Sequence, residues 1–216
     1  MLHNVEFVIY TGRPGHEGLF RIQGQPLVGE PQTLLVQLLG SYATAEFRFV
    51  SREGDTLAVL DLKQGDPRAA ADDFVGQVEL PDQPFEVMVF GTTLNGEPYQ
   101  RVFPALFTPQ PVGVSFARVD APFRSGQTTP IAVEIRNVGP PATFQVRVTL
   151  VGSDTVVSNI KPSEVTLERG ERKTVELALD VPPNIKPGAE ITVIVTATDV
   201  ANSSVSNGAI LTVEAK

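Results

Sequence analysis

Hydrophobic and polar residues alternate with a period of two through much of the second half of the chain. In the segment TFQVRVTLV (143–151), one face carries Phe144, Val146, Val148 and Leu150. Polar side chains fall on the opposite face. The segments IAVEIRN (131–137) and TVELALD (174–180) repeat this pattern. Strands of this kind bury one face and expose the other, which is typical of an antiparallel β-sandwich.

Turn signals rich in glycine and proline, such as NVGPP at 137–141, separate these segments. The first half shows a similar but less regular pattern. The chain as a whole therefore predicts short strands with few helices. The predicted strands lie near 5–10, 19–23, 33–39, 45–51, 56–62, 75–80, 85–91 and 99–103, and then near 112–119, 130–136, 143–151, 155–159, 164–167, 172–180, 190–198 and 207–214.

Two segments of the first half depart from simple alternation. TLLVQLLG (33–40) is rich in leucine, and its short length favours a strand that is buried on both faces over a helix. In GDPRAAADDF (65–74), Asp66 is suited to a helix N-cap and Pro67 to the first helical position, ahead of three alanines. We therefore expect one short helix at 65–74, crossing between sheets.

A proline-rich segment divides the alternating halves. FPALFTPQPVG (103–113) contains three prolines and no alternation, and proline both stiffens the chain and removes backbone donors. The sequence thus predicts an all-β protein of two tandem immunoglobulin-like β-sandwiches, over residues 1–108 and 109–216.

A hairpin is predicted near the end of the first half. FEVMVF (85–90) and YQRVF (99–103) have the composition of strands, and Asn95-Gly96 lies between them. Asn-Gly is a strong hairpin signal because both residues tolerate positive φ. The prediction is a type I′ turn that joins the last two strands of the first sandwich.

Charge disfavours two classes of partner. The chain has 17 Lys and Arg against 25 Asp and Glu, for a net charge of −8. Its densest basic segment, at 168–174, is interleaved with acids. Nucleic acid and anionic membrane surfaces both require clustered basic residues, so neither is an expected partner. No apolar run approaches the roughly 20 residues of a membrane span, so membrane insertion is not expected.

The chain contains no cysteine, which excludes disulfides, thiolate metal sites and cysteine nucleophiles. The N-terminus, MLHNVEFVIY, lacks the basic region and cleavage site of a signal peptide. Two interpretations remain open: a cytosolic chain, or an excised piece of a longer secreted protein.

The chain has few residues that are suited to catalysis. The two histidines are His3 at the terminus and His16, which lies beside Glu17 in a glycine-rich turn. Neither has the oriented partners of a Ser-His-Asp site, and phosphate-binding glycine loops are absent. Paired carboxylates for glycoside hydrolysis could still meet in space, but the chain has no Trp and only three Tyr with which to stack a sugar. We expect no enzyme activity, no catalytic residue and no cofactor.

Acidic loops leave a weaker possibility of calcium binding. None has EF-hand spacing, and acidic loop residues commonly cap turns. The sequence therefore leaves calcium open and predicts no metal ligand. It likewise leaves open whether Asn202, in the sequon NSS, is glycosylated. The residues considered for calcium are Asp72 with Asp73, Asp61 with Asp66, and Asp199 with Asn202.

The segment FEVMVFGTTLNGEPYQRVF (85–103), with GRPGHEGLFRIQGQPLVGEPQTLLVQLLG (12–40) upstream, resembles the segment that follows the von Willebrand factor A domain in hemicentin-like extracellular proteins. The second half is similar to generic immunoglobulin-like modules of bacterial and other surface proteins, which also occur appended to enzymes. The resemblance implies an extracellular structural or adhesive protein. The DxSxS metal-adhesion motif of A domains is absent, so that site is carried over to no residue here.

Three functional hypotheses follow. The favoured one is a non-catalytic structural or adhesion module of an extracellular or cell-surface protein, which acts as a spacer and binds protein partners through loops or a sheet edge. The alternative is an accessory β-sandwich of a secreted enzyme whose catalytic domain lies outside this chain. The third, an enzyme within the chain itself, requires a cluster of ionisable groups in a pocket.

Overall fold

The computed structural model describes residues 6–11, 18–23, 25–38, 42–64, 72–104, 108–118, 123–152 and 156–215. The chain forms two compact units that divide between Pro109 and Gln110. We call Asn4–Pro109 the N-terminal unit and Gln110–Lys216 the C-terminal unit. The described residues form strands and the turns between them, with no helix. Nothing in this described part of the chain is therefore a helix long and apolar enough to cross a membrane.

The N-terminal unit packs two antiparallel sheets face to face. Their strand orders are β1-β2-β3-β7-β6 and β5-β4-β8-β9. Leu34 and Val36 of one sheet are fully buried opposite Phe47 of the other, and the rings of Phe47 and Phe74 lie 4.9 Å apart. The strands are β1 (Glu6–Thr11), β2 (Gly18–Gln23), β3 (Pro31–Leu38), β4 (Tyr42–Val50), β5 (Thr56–Leu60), β6 (Lys63–Gln64), β7 (Asp72–Glu79), β8 (Glu86–Thr93) and β9 (Pro98–Pro104).

The C-terminal unit is a second two-layer sandwich. Its sheets have the orders β10-β11-β15-β13 and β14-β12-β16-β17, and every pairing is antiparallel. Alternate residues along the longest strands are buried, as in the pattern of β16, so aliphatic side chains from both sheets fill the core. The strands are β10 (Val112–Arg118), β11 (Thr128–Asn137), β12 (Ala142–Val151), β13 (Val157–Lys161), β14 (Glu164–Leu167), β15 (Arg172–Asp180), β16 (Glu190–Asp199) and β17 (Ser206–Glu214).

The predicted fold class is confirmed: the protein is all-β, built as tandem β-sandwiches. Each predicted strand overlaps an observed one, and the Leu-rich segment forms β3. The expectation that this strand is buried on both faces is wrong, because Leu34, Val36 and Leu38 are buried whereas the residues between them are only partly buried. The two-residue strand β6 was not predicted. The expected helix at 65–74 is wrong at its end, because Asp72–Phe74 begin β7 and pair with β3. Residues 65–71 of that prediction lie outside the described residues.

The hairpin joins β8 and β9 as expected, but its turn is not type I′. Gly96 has a φ of 79°, whereas no non-glycine residue has positive φ among the described residues, so Asn95 does not. The Gly96 N–H donates to the Thr93 carbonyl over 2.9 Å, and the Thr93 N–H donates to the Glu97 carbonyl over 2.8 Å. This is the three-residue loop in which a type I turn precedes a left-handed glycine. Leu94 is the additional residue that changes the turn type.

Gly91 in β8 has a different role from Gly96. The β4–β8 pairing contains a register shift between Tyr42 and Thr44. At this shift the chain passes so close to Gly91 that an added Cβ would lie 1.9 Å from the Thr44 carbonyl oxygen. Any larger residue at this position would therefore force the two strands apart.

Candidate interaction surface

The residues that the sequence offered for catalysis and metal binding do not assemble into a site. His3, His16, Glu17 and Asp66 lie outside the described residues. Of the others, Asp61 follows β5 in an exposed position, whereas Asp72 and Asp73 are the first two residues of β7. Across the described ranges, no three His, Asp or Glu side chains are grouped so that they could hold a metal ion.

Asp199 and Asn202 stabilise the turn between β16 and β17. The Asp199 carboxylate accepts a hydrogen bond from the Ala201 N–H over 2.8 Å. The Asn202 side-chain oxygen accepts from the Ser204 N–H over 3.2 Å and from the Ser204 hydroxyl over 2.7 Å. Both side chains thus act as local turn acceptors. The Asn202 sequon is exposed in this turn, and its glycosylation stays an open question.

A larger feature is the outer face of the sheet β14-β12-β16-β17. Because inward residues of each strand are buried in the core, the alternate residues point outward. Threonine is the commonest of these outward residues, and we call this surface the threonine face. Its members are Thr143, Gln145, Arg147, Thr149 and Val151 of β12, Glu164 and Thr166 of β14, Glu190, Thr192, Ile194, Thr196 and Thr198 of β16, and Ser206, Gly208, Ile210, Thr212 and Glu214 of β17.

Hydroxyl groups on the threonine face pair with one another across strands. The side-chain oxygens of Thr143 and Thr166 lie 2.9 Å apart, and those of Thr198 and Ser206 lie 2.8 Å apart. The β12–β16 and β16–β17 ladders run without a register shift, so the face is regular along its length. Cross-strand Thr and Ser pairs of this kind stabilise a sheet and hold their side chains in place.

Aliphatic side chains occupy the middle of the threonine face. Ile194 of β16 lies directly opposite Thr149 on one side and Ile210 on the other. Ile210 is 57% exposed, and Val151, one row further along, is 54% exposed. Exposed aliphatic residues that share one face form a contiguous apolar patch, which is a mark of an interaction site.

The charged side chains of the threonine face lie toward its two ends. Arg147 lies opposite Thr196, and its guanidinium bonds the neutral side chain of Gln145 over 2.5 and 2.9 Å. At the other end of the face, Glu190 lies directly opposite Glu214. Within the described residues none of these three groups forms an ion pair. Glu164 of β14, which lies opposite Gln145, is also exposed on this face. The end near Arg147 therefore carries charges of both signs, and the other end carries two negative charges.

The N-terminal unit has a smaller apolar row on one outer sheet face. Arg48 lies opposite Val59 of β5 and Met88 of β8, and Met88 lies opposite Val102 of β9. Val59 is 64% exposed. The Arg48 guanidinium lies 2.5 Å from the Glu46 carboxylate, so this row, unlike the threonine face, contains a neutralised charge at its centre.

Sequence reasoning predicted contacts through loops or a sheet edge and did not find the threonine face. The signal was present in the outward positions of three segments, which contain many Thr and few charged residues. The sequence does not show that these outward positions form one surface, because the register that places Ile194 beside Ile210 follows from cross-strand pairing. The prediction about loops and edges stays a prediction.

Comparison with protein families gives one match. Residues 116–214, which lie within the C-terminal unit, match the family model of the VWA7 Ig-like domain. The two-sheet topology of the C-terminal unit agrees with this match, since both indicate an immunoglobulin-like β-sandwich. The resemblance to hemicentin-like proteins was placed on the other half of the chain, outside the matched residues. A search of curated proteins found no significant match.

Solved structures show distant likenesses. The native form of E. coli alpha-2-macroglobulin is similar over 91% of this chain, with 13% identity and a TM-score of 0.42, and the match spans 16% of that much longer chain. The PapD-like domain 7 of human CEP192 is similar over 52% of this chain and 89% of its own, with 10% identity and a TM-score of 0.38. The fibronectin(III)-like modules of Clostridium thermocellum CbhA are similar over 88% of this chain and 87% of their own, with 9% identity and a TM-score of 0.28.

Proposed function

We propose that this chain is a non-catalytic structural or adhesion module of an extracellular or cell-surface protein, which acts as a spacer and binds protein partners. The observation that carries the proposal is the threonine face, with Ile194, Ile210 and Val151 at its centre. The match of residues 116–214 to an Ig-like domain model supports it, because many cell-surface domains share this sandwich architecture.

The composition of the threonine face suits protein binding. Interface cores are depleted in charged residues, and their rims are polar. Here the exposed aliphatic side chains lie between threonine hydroxyls. The charged residues lie toward the ends: Arg147 and Glu164 at one, Glu190 and Glu214 at the other. Thr192 and Thr212, whose hydroxyl oxygens lie 3.5 Å apart, remain able to bond a partner's polar groups.

The binding proposal is tested by capture. The full chain is immobilised and incubated with an extracellular extract from its source, and specifically retained proteins are identified by mass spectrometry. The variant Ile210→Lys places a charge in the apolar centre and is expected to abolish capture. Val59→Lys is the matched control, because it replaces an aliphatic residue of comparable exposure in the N-terminal unit.

The outcomes of the capture experiment separate the hypotheses. Equal capture by wild type and Ile210→Lys would reject the threonine face as the binding surface. Retention of a cytosolic metabolite or nucleotide as the specific ligand would contradict the extracellular role. Recovery of a secreted hydrolase as the partner would favour the alternative, an accessory module of an enzyme.

The non-catalytic part of the proposal has its own test. We expect no turnover when the purified chain is assayed on a panel of glycosides, esters and peptides. Activity that co-purifies with the chain and disappears on substitution of a single carboxylate, for example Asp61→Asn or Asp199→Asn, would overturn this part. Asp180→Asn, an exposed carboxylate that bonds Thr128, serves as a control substitution.

A further inference from the structure

We propose that Asn95, in the turn between β8 and β9, is a site of spontaneous deamidation in the folded protein, whereas Asn207 in β17 is protected from the same reaction. Asn95-Gly96 and Asn207-Gly208 are the two Asn-Gly dipeptides of the chain. They share one local chemistry and differ in how the fold holds them. The proposal is independent of the proposed function, because it concerns a covalent change and no binding partner.

The reaction exchanges the side-chain amide for a carboxylate and consumes water. The backbone nitrogen of the glycine loses its proton and attacks the side-chain carbonyl carbon of the asparagine, and the side-chain amide takes up a proton and leaves as ammonia. Water then opens the resulting succinimide ring. Addition at the side-chain carbon gives aspartate, and addition at the backbone carbon gives isoaspartate, in which the main chain runs through the side chain. Glycine favours the attack, because it has no side chain to hinder the nitrogen and its backbone rotates freely.

The surroundings of Asn95 leave it open to this reaction. Leu94 is 69% exposed, Asn95 and Gly96 are also exposed, and a Cβ added at Gly96 would meet nothing within 4 Å. Among the residues that the structure describes, none forms a hydrogen bond with the Asn95 side chain. The side-chain amide can therefore turn toward the Gly96 nitrogen, and water can reach the ring that forms.

The rotation that Asn95 requires is resisted by hydrogen bonds of the loop. The attack needs the Asn95-Gly96 peptide to turn about the Asn95 Cα–C bond, and this motion breaks the 2.9 Å bond from the Gly96 N–H to the Thr93 carbonyl. The Thr93 hydroxyl oxygen also accepts the Glu97 N–H over 3.2 Å, and the Thr93 N–H donates to the Glu97 carbonyl over 2.8 Å. These bonds lie at an exposed loop tip, where local opening costs little free energy.

Asn207 is held by its own strand and by a neighbouring one. Its side-chain nitrogen, which must leave in the reaction, donates to the Val112 carbonyl over 2.9 Å. The Gly208 N–H donates to the Asn207 side-chain oxygen over 2.8 Å, so the attacking nitrogen is close, but its attack requires the same rotation of the peptide. The β16–β17 ladder opposes that rotation, because both residues of the dipeptide are paired, with Ala197 and Thr196 of β16. Opening at this position must break the sheet, which costs more free energy than opening a loop tip.

The two products differ in their effect on the β8–β9 hairpin. Isoaspartate adds a carbon to the main chain inside a loop whose closing bonds join Thr93 to Gly96 and Glu97. Aspartate keeps the length of the loop, and it is a common turn residue. A chain that has accumulated isoaspartate at this position should therefore melt at a lower temperature than fresh protein, whereas the variant Asn95→Asp should melt close to wild type.

Peptide mass spectrometry of the full chain, sampled during incubation at mildly alkaline pH, tests the proposal. In the folded chain Asn95 is expected to react about tenfold or more faster than Asn207, because a loop tip opens far more often than a paired strand. In urea, where both dipeptides are unfolded, the two rates should become similar. Methylation by a protein isoaspartate methyltransferase, with a labelled methyl donor, identifies the isoaspartate product.

Thr93→Val tests whether opening of the loop controls the rate at Asn95. The variant removes the side-chain acceptor of the Glu97 N–H and keeps a β-branched residue, so it should raise the rate at Asn95 by about two- to tenfold and leave Asn207 unchanged. Circular dichroism establishes that the variant is folded. The proposal is overturned if Asn95 and Asn207 react equally in the folded chain, if Asn95 stays intact while the chain in urea reacts, or if Thr93→Val leaves the rate at Asn95 unchanged.

Discussion

The side-chain amide of Asn137, at the end of β11, donates a hydrogen bond of 3.1 Å to the backbone carbonyl of Leu167, at the end of β14. These strands belong to opposite sheets of the C-terminal unit. The same amide donates to the Pro140 carbonyl over 2.7 Å, and the Asn137 side-chain oxygen accepts from the Gly139 N–H over 3.0 Å. One buried side chain, only 1% exposed, therefore links the two sheets and shapes the turn that follows β11.

We predict that Asn137→Ala destabilises the protein by about 1–3 kcal/mol, because it leaves buried backbone groups without partners. Asn137→Asp should be at least as harmful, since a carboxylate cannot donate to the Leu167 and Pro140 carbonyls and its charge would be buried. Urea unfolding followed by circular dichroism measures both. Asn159→Ala, at an exposed position of β13, is the control and should change stability by less than about 0.5 kcal/mol. Equal effects at Asn137 and Asn159 would contradict the bridging role.

A second prediction concerns Glu190 and Glu214, which lie directly opposite each other at the end of the β16–β17 ladder. Like charges in this position are unfavourable, so Glu214→Lys should stabilise the monomer by about 0.2–1 kcal/mol. Glu214→Gln, which removes the repulsion without adding attraction, should give a smaller gain. Thermal unfolding at low chain concentration measures the change, and the advantage of the Lys variant should shrink at high salt. A loss of stability in both variants at low salt would show that the repulsion is not significant.

The glycine of the β8–β9 turn supplies a third prediction. Gly96 has a φ of 79°, and an added Cβ would meet nothing within 4 Å, so a substitution there is opposed by the backbone and not by a clash. Gly96→Val should cost more than about 1 kcal/mol, because β-branched residues resist positive φ, whereas Gly96→Asn should cost less. Melting temperatures of the two variants check the ordering. Unchanged melting of the Val variant would refute the turn assignment.

Much of the fold could be predicted because burial of one strand face leaves its signature in the sequence. The alternation around Phe144 and Val146 predicted β12, and both residues are buried in the core as that pattern requires. The turn after β8 was harder, since its type depends on whether Leu94 belongs to the loop or to the ladder. Asn-Gly is compatible with a two-residue and with a three-residue loop, because both place a glycine at a position of positive φ. The register of the paired strands decides between the two loops.

The candidate surface depends on contacts that no single segment contains. Ile194 and Ile210 share a row only because β16 and β17 pair in one particular register, and Thr149 of β12 lies in the same row. A sequence pattern shows which side chains of one strand point outward. It does not show which strands are neighbours, so the threonine face became visible only in the assembled sheet.

The last prediction is that residues 110–216 fold without the rest of the chain. The C-terminal unit buries a core of its own, in which Val133, Leu177 and Val193 are fully buried among residues from the same unit. Its β17 is also bonded to its β10 region, since the Asn207 side chain donates to the Val112 carbonyl over 2.9 Å and the Ser206 N–H donates to the Gln110 side chain over 3.0 Å. A fragment that begins at Gln110 keeps both bonds, and it should unfold cooperatively in urea with the circular dichroism of a β protein. A fragment that begins at Gly113 lacks the residues that make them and is the matched comparison, expected to be less stable. If the longer fragment were molten or insoluble, the C-terminal unit would not be an independent domain.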